Sequence, residues 1–252
     1  ILKIDLKKLF KRADVVIHLA AITDAASSFN KKSLVESHNL GVTEKVLKGC
    51  AANGSSLIFI STTSVYGTAK KVVYEDCPKE DLNPQSPYAE TKIKEENLVK
   101  TYSKQENLDA IICRFGTIYG ISPGIRFHTA VNKFCWQASL KLPLTVWETA
   151  YEQKRPYLDL IDACNAISFI INKKIFDGEV YNILTHNKTV KQITDNIKFY
   201  IPNLKIEFVN AKIMNQLSYD VSTEKFNLKG FKYCGNLDKS IRQTLDLFKN
   251  FN

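Results

Sequence analysis

Glycine is scarce in this chain, with 10 residues in 252, about 4% against a usual ~7%. No block is low in complexity either, which excludes wholesale disorder. Methionine occurs once, as Met214, and the first residue is Ile1. A translated chain starts with Met, so the sequence reads as processed, trimmed or a fragment. No apolar run approaches the ~18–20 residues of a membrane-spanning helix. Nothing at the start reads as a signal peptide, because Ile1-Leu2-Lys3-Ile4-Asp5-Leu6 interleaves charge with apolar residues. Arginine is also rare. Of 35 basic residues only 5 are Arg, and the Lys residues are spread in pairs such as Lys7-Lys8 and Lys173-Lys174. Nucleic-acid binders concentrate Arg and Lys in stripes beside aromatics, so no nucleic-acid partner is expected. The net charge of +9 reads as Lys-rich solvated faces, with attraction of a phosphate ester as the second reading. The six Cys form no Cys-x-x-Cys and the four His no i,i+4 pair, so no metal is expected. Free thiols point to a reducing cytosol and a cytoplasmic protein outside the membrane.

What is present is an alternation of buried strands and helices. Asp14–Ala21 is continuous, apolar and β-branched, as in a strand covered on both faces. A helix is expected over 33–53, ended by Asn53-Gly54. Strands at 56–61 and 109–115 flank a long polar loop and a helix over 85–106. This order predicts a doubly wound parallel α/β sheet. Beyond residue 116 the pattern loosens. Helices are expected at 127–139, 162–172, 189–200 and 238–250, with strands at 143–147, 157–160, 179–183 and 204–209. That reads as a smaller α+β lobe, with the strands at 157–160 and 179–183 as candidates to rejoin the main sheet. The expected division is 1–120 and 121–252.

Tyr88-Ala89-Glu90-Thr91-Lys92 is the leading chemical candidate. Four residues apart on a helix, the phenol and the ammonium share one face. A neighbouring cation favours phenolate, which suits a base that removes a hydroxyl proton. The spacing alone says little. With 11 Tyr and 30 Lys, about one such pair arises by chance, and Tyr66 with Lys70 is a second. Position separates them. Ser61-Thr62-Thr63-Ser64 leaves the C-terminal end of a buried strand, where open α/β sheets bind ligands, and Tyr88 opens the next helix.

Several stretches in order then carry a resemblance: His18-Leu19-Ala20-Ala21, Asn39, Phe59–Gly67, Pro87–Lys92, Arg114–Gly120 and Arg155–Asp162. Together they resemble the extended short-chain dehydrogenase/reductase family, in its NAD-dependent nucleotide-sugar epimerase/dehydratase branch. The resemblance implies a Rossmann-like fold, NAD as cofactor, a nucleotide-sugar substrate and a homodimer. It implies Tyr88 as catalytic base, Lys92 as holder of the nicotinamide ribose, and Thr62 as partner of the sugar oxygen. Asp5 and Leu6 fall beside the adenine, and Ala20 and Ala21 line the dinucleotide cleft. Asn39 and Ser61 complete the cofactor residues. Arg155 falls where the family contacts the substrate diphosphate, with Thr63, Thr117, Arg126 and Asn132 as further substrate candidates.

Three departures shape the expected function. Thr63-Ser64 stands where dehydratases carry Asp-Glu, which argues against C–O cleavage. Thr117 replaces an Asn common in the family. No Gly-x-x-Gly-x-x-Gly turn occurs, although a dinucleotide pyrophosphate is usually held there. The expectation is therefore an epimerase working through a transient keto sugar. A first βαβ portion of roughly 60 residues is expected to be missing and the fragment inactive by itself. The alternatives are a keto-sugar reductase or dehydrogenase of the same fold, and a non-catalytic truncated relative. The sugar, the nucleotide and NAD versus NADP stay open.

Overall fold

The computed structural model describes residues 1–25, 27–67, 70–210 and 218–249. Its elements in chain order are α1 (Leu6–Leu9), β1 (Val15–His18), α2 (Lys32–Asn53), β2 (Ser56–Thr62), β3 (Val72–Val73), α3 (Pro87–Gln105), β4 (Ala110–Phe115) and β5 (Thr117–Tyr119). There follow α4 (Ala130–Ser139), β6 (Leu144–Trp147), β7 (Lys154–Asp159), α5 (Leu160–Lys173), β8 (Asp177–Ile183), β9 (His186–Thr189), α6 (Val190–Tyr200), β10 (Ile206–Val209), β11 (Asp220–Val221), α7 (Glu224–Leu228) and α8 (Leu237–Lys249). Residue 250 of the last expected helix lies outside the described residues.

Two compact units result. The first comprises Ile1–Thr68, Glu75–Phe115 and Ile167–Asn182; the second comprises Ala69–Tyr74, Gly116–Ala166 and Ile183–Asn252.

In the first unit the strands lie in the order β1-β2-β4-β8, and β1–β2 and β2–β4 run parallel. All six residues of β4 are buried, which is why its sequence shows no alternation. Helices α2 and α3 pack on one another, and Val46, Leu47, Leu57, Phe59, Val99 and Ile112 share one apolar core. Gly54 closes α2 in the left-handed conformation, φ 66°, and its amide bonds to the Cys50 carbonyl. Ser86 caps α3 by accepting the Ala89 amide at 3.2 Å, and Pro87 fills the first helical position.

Among the described residues the second unit holds three smaller sheets, in the orders β5-β7-β9, β6-β10 and β3-β11. Its core gathers Tyr119, Phe134, Leu144, Ile193, Ile241 and Leu245 from strands and from α4, α6 and α8. Of the two late strands, 177–183 joins the main sheet as β8, whereas 154–159 pairs with β5 and β9. The short elements α1, β3, β5, β9, β11 and α7 carry no periodic signal, and tertiary pairing makes them.

Candidate active site

The site grows from the C-terminal end of β2. Lys92, one turn along α3 from Tyr88, is only 3% exposed. Its ammonium donates to the Ile60 carbonyl at 3.1 Å and lies 4.6 Å from the centre of the Phe59 ring. Burial lowers the Lys92 pKa, while the charges of Glu95 and Glu96 oppose that shift. Glu95 Oε2 stands 3.3 Å from the ammonium. Tyr88 is half-buried at the helix start, and its amide donates to the Ser28 hydroxyl at 3.4 Å. The loop after β1 thus meets the first turn of α3.

The adjoining hydroxyls are already oriented. Thr62 Oγ1 accepts the Ser64 amide at 3.1 Å and is partly exposed. Ser61 is buried and donates to Glu96 at 2.5 Å. Thr63 is also buried, and its hydroxyl donates to the Phe115 carbonyl at 3.2 Å. Asn39 accepts the Ile22 amide at 2.9 Å and donates to the Ile22 carbonyl at 3.0 Å. It pins the loop that carries Ala20 and Ala21, both partly exposed just beyond β1.

Of the sequence candidates, the structure brings Ser61, Thr62, Tyr88 and Lys92 to the junction of β2 and α3. Others have local duties. Asp5 is exposed and caps α1, accepting the Lys8 amide at 3.3 Å, and Leu6 is buried in the apolar core. In the second unit Thr117 lies on β5 opposite Tyr157. Asn132 is buried and accepts the Gly120 amide at 3.1 Å. Arg126 is exposed. Arg155 donates to the Lys154 carbonyl at 2.8 Å and to Gln153, and burial lowers its pKa.

The rival pair is resolved by its environment. Tyr66 is wholly buried, accepting from Arg114 at 2.8 Å and donating to Asn182 at 2.8 Å. Burial drives its pKa up. A phenol sealed this way is a structural hub, not an accessible base.

Sequence reading missed most of this supporting shell. Glu96 binds Arg114 in a bidentate pair, at 2.9 and 2.7 Å, with both residues buried. Burial opposes the Arg114 charge, but the bonds to Glu96 prevail and hold its pKa above the usual value. The signal was an Arg inside an apolar strand, which demands a partner. In the second unit Asp162, fully buried, accepts the Cys234 amide at 2.8 Å, the Gly235 amide at 3.1 and 3.0 Å, and the Thr185 hydroxyl at 2.7 Å.

Fold and site together define an α/β protein of the short-chain dehydrogenase/reductase type. The profile of the NAD dependent epimerase/dehydratase family matches residues 2–183, and the chain belongs to that family. Among relatives, the uncharacterised UDP-glucose epimerase YtcB of Bacillus subtilis is 32% identical over 187 residues, covering 73% of this chain and 57% of that protein. The dTDP-D-glucose 4,6-dehydratase of Homo sapiens is 26% identical over 256 residues, covering 96% and 71%. The UDP-glucuronic acid 4-epimerase of Bacillus cereus, solved with UDP-glucuronic acid and NAD, superposes with a TM-score of 0.89 at 27% identity, covering 100% of this chain and 80% of that one. The chain spans about half the length of the first curated relatives, 57% and 36% of two of them. Among the described residues no helix is long and apolar enough to cross a membrane, and no cluster of three His, Cys, Asp or Glu side chains could hold a metal.

Proposed function

We propose that this chain is the catalytic portion of an NAD-dependent epimerase acting on a nucleotide-activated sugar through a transient keto intermediate. The observation that carries the reading is Lys92, buried yet held against the Ile60 carbonyl, with Tyr88 one turn away on the same helix and Thr62 at the strand end. Tyr88 as phenolate takes the proton of a sugar hydroxyl, and Thr62 hydrogen-bonds the same oxygen as it becomes a carbonyl. Lys92 favours the phenolate by its charge and would hold the ribose of the bound cofactor. Tyr88 later returns the proton.

The residues fit NAD at its nicotinamide end. Small side chains at Ala20 and Ala21 leave room beyond β1, and Lys92 supplies a cation at the adjoining strand end. When bound, NAD would accept a hydride from the sugar carbon and give it back to the opposite face. The phosphate end fits less well, because the 252 residues contain no Gly-x-x-Gly-x-x-Gly turn to hold the pyrophosphate. We therefore assign the isolated chain weak NAD binding and little turnover.

Epimerisation is favoured over dehydration by the residues after Thr62. Thr63 is buried and bonded to the Phe115 carbonyl, and Ser64 is exposed. Neither can act as the carboxylic acid that expels a hydroxyl. Residues 1–120 are assigned to the cofactor and 121–252 mainly to the sugar nucleotide, with Thr117, Arg126, Asn132 and Arg155 as diphosphate and sugar contacts. The active form is a cytoplasmic homodimer in this reading.

The test supplies what these residues do not contain. A segment carrying a glycine-rich phosphate-binding turn is fused ahead of Ile1, and UDP-hexoses are followed by NMR. Interconversion of epimers without net change in NAD supports the proposal. Stoichiometric production of NADH, or consumption of NADH or NADPH, assigns a dehydrogenase or reductase instead. Binding of both ligands with no turnover assigns the non-catalytic reading.

A further inference from the structure

Lys92 is backed by a chain of side chains that crosses three elements. Glu95, on the next part of α3, brings one carboxylate oxygen to ion-pair distance of the ammonium, 3.3 Å, without hydrogen-bond geometry. Its other oxygen accepts the Thr43 hydroxyl of α2 at 2.5 Å. Thr43 Oγ1 in turn lies 2.8 Å from His18 Nε2 of β1. All four residues are buried, at 5% exposure or less.

The bond directions follow from the chemistry of the groups. A carboxylate only accepts, so the single hydroxyl proton of Thr43 goes to Glu95. The Thr43 oxygen is then an acceptor, and His18 must donate to it from a protonated Nε2. Burial, then the charge of Lys92, lower the His18 pKa to about 4, so the ring is neutral and its Nδ1 is bare near neutral pH. The imidazole also lies over Phe59, with ring centres 5.8 Å apart. Donors therefore run in one direction, from His18 through Thr43 to Glu95, and the carboxylate meets the ammonium from behind.

We infer that Glu95 is a positioning residue for the Tyr88/Lys92 pair: held by His18 and Thr43, its carboxylate keeps the Lys92 ammonium charged and aimed at the strand end. This rests on the proposed role of Tyr88 and Lys92. An ammonium buried without a counter-ion loses its proton at far lower pH, since desolvation favours the neutral amine. The Ile60 carbonyl and the Phe59 ring alone do not replace a carboxylate. Glu96 cannot substitute, because Arg114 of β4 holds both of its oxygens and Ser61 bonds one of them. Among the described residues, the charged or titratable groups that face Lys92 are thus Glu95 and Glu96 of α3, His18 of β1 and, beyond Glu96, Arg114 of β4, with Tyr88 one turn away.

The test is NMR titration of the 252-residue chain with 13Cε-labelled lysine and 13Cζ-labelled tyrosine, which needs no substrate. In Glu95→Gln the Lys92 midpoint is expected to fall by more than one pH unit. Tyr88 then titrates higher than in the wild type, because its neighbour is neutral. Glu95→Asp restores part of the Lys92 shift. Thr43→Val, which preserves every charge, moves the Lys92 midpoint the same way by less, and it serves should Glu95→Gln fail to fold. Unchanged Lys92 midpoints in the folded variants overturn the inference while leaving the proposed reaction standing. Shifted midpoints beside a Tyr88→Phe fusion of normal turnover would instead remove the reaction and keep the positioning.

Discussion

The ammonium of Lys92 donates to the main-chain carbonyl of Ile60 at 3.1 Å, which ties helix α3 to the C-terminal end of strand β2. The contact sets Tyr88 and Thr62 on the two sides of one junction. It also commits a buried cation to a place where Glu95 stands at ion-pair distance.

Replacing that cation should be costly in a specific way. Lys92→Met leaves Glu95 buried without its ion partner, at an expected cost of about 3–5 kcal/mol. Adding Glu95→Gln should recover a large part of that loss. Urea unfolding of the two single variants and the double variant checks this; additive losses would show that the pair is not coupled.

The Arg114–Glu96 pair makes a similar prediction with a different signature. Arg114→Met strands the Glu96 carboxylate and leaves Tyr66 with one partner fewer, at about 3–5 kcal/mol. Arg114→Lys is expected to rescue little, because one ammonium cannot reproduce a bidentate fork together with the bond to the Tyr66 hydroxyl. Full stability in the Lys variant, measured by the urea midpoint, would refute the importance of the fork.

His18 gives the fold a pH dependence. Its folded pKa of about 4 lies below the ordinary 6.5, so between those values the unfolded chain binds more protons than the folded one. The contribution is complete above about pH 6.5 and is lost as pH falls toward 4. It amounts to on the order of 3 kcal/mol. His18→Gln retains a donor for Thr43 without the titration. Its stability is expected to fall less steeply over that window, and parallel curves for the two proteins would exclude the assignment.

Gly235 is a fourth point of failure. A methyl group there would lie 2.5 Å from Asp159 Cβ and 2.5 Å from Asp162 Oδ2, while the Gly235 amide donates to Asp162. Gly235→Ala must push this segment off the carboxylate, and a loss of about 1–3 kcal/mol is expected. A thermal midpoint equal to that of the wild type would contradict the packing described.

Calorimetry with NAD tests the phosphate end of the site. The isolated chain is expected to bind more weakly than micromolar, and micromolar affinity would show that other residues replace the glycine-rich turn.

The larger elements were legible because each carries a pattern that physics imposes. Continuous apolar runs mark β2 and β4 as buried strands, and Asn53-Gly54 marks a helix end. The run Asp14–Ala21, read the same way as covered on both faces, is instead the short terminal strand β1, with Val15 and Val16 half-buried and Ile17 exposed, because only β2 pairs with it among the described residues. The Tyr88/Lys92 pair was legible only through its place after a strand end, since Tyr66 and Lys70 share its spacing. What stayed hidden depends on distant partners. Thr43 and Glu95 are 52 positions apart, and Tyr66 and Asn182 are 116 apart. Lys92 and Glu95 are three apart on α3, a spacing that allows an ion pair, but nothing local shows that it is buried. The short strands β5 and β9 exist because β7 lies between them.

The arrangement around Glu96 has an evolutionary consequence. One carboxylate serves Ser61 of β2 and Arg114 of β4, and Arg114 serves Tyr66. A change at Glu96 or Arg114 removes several buried bonds at once, and a change at Ser61 or Tyr66 removes one or more. Substitutions at these positions are therefore expected to be tolerated in combination better than singly.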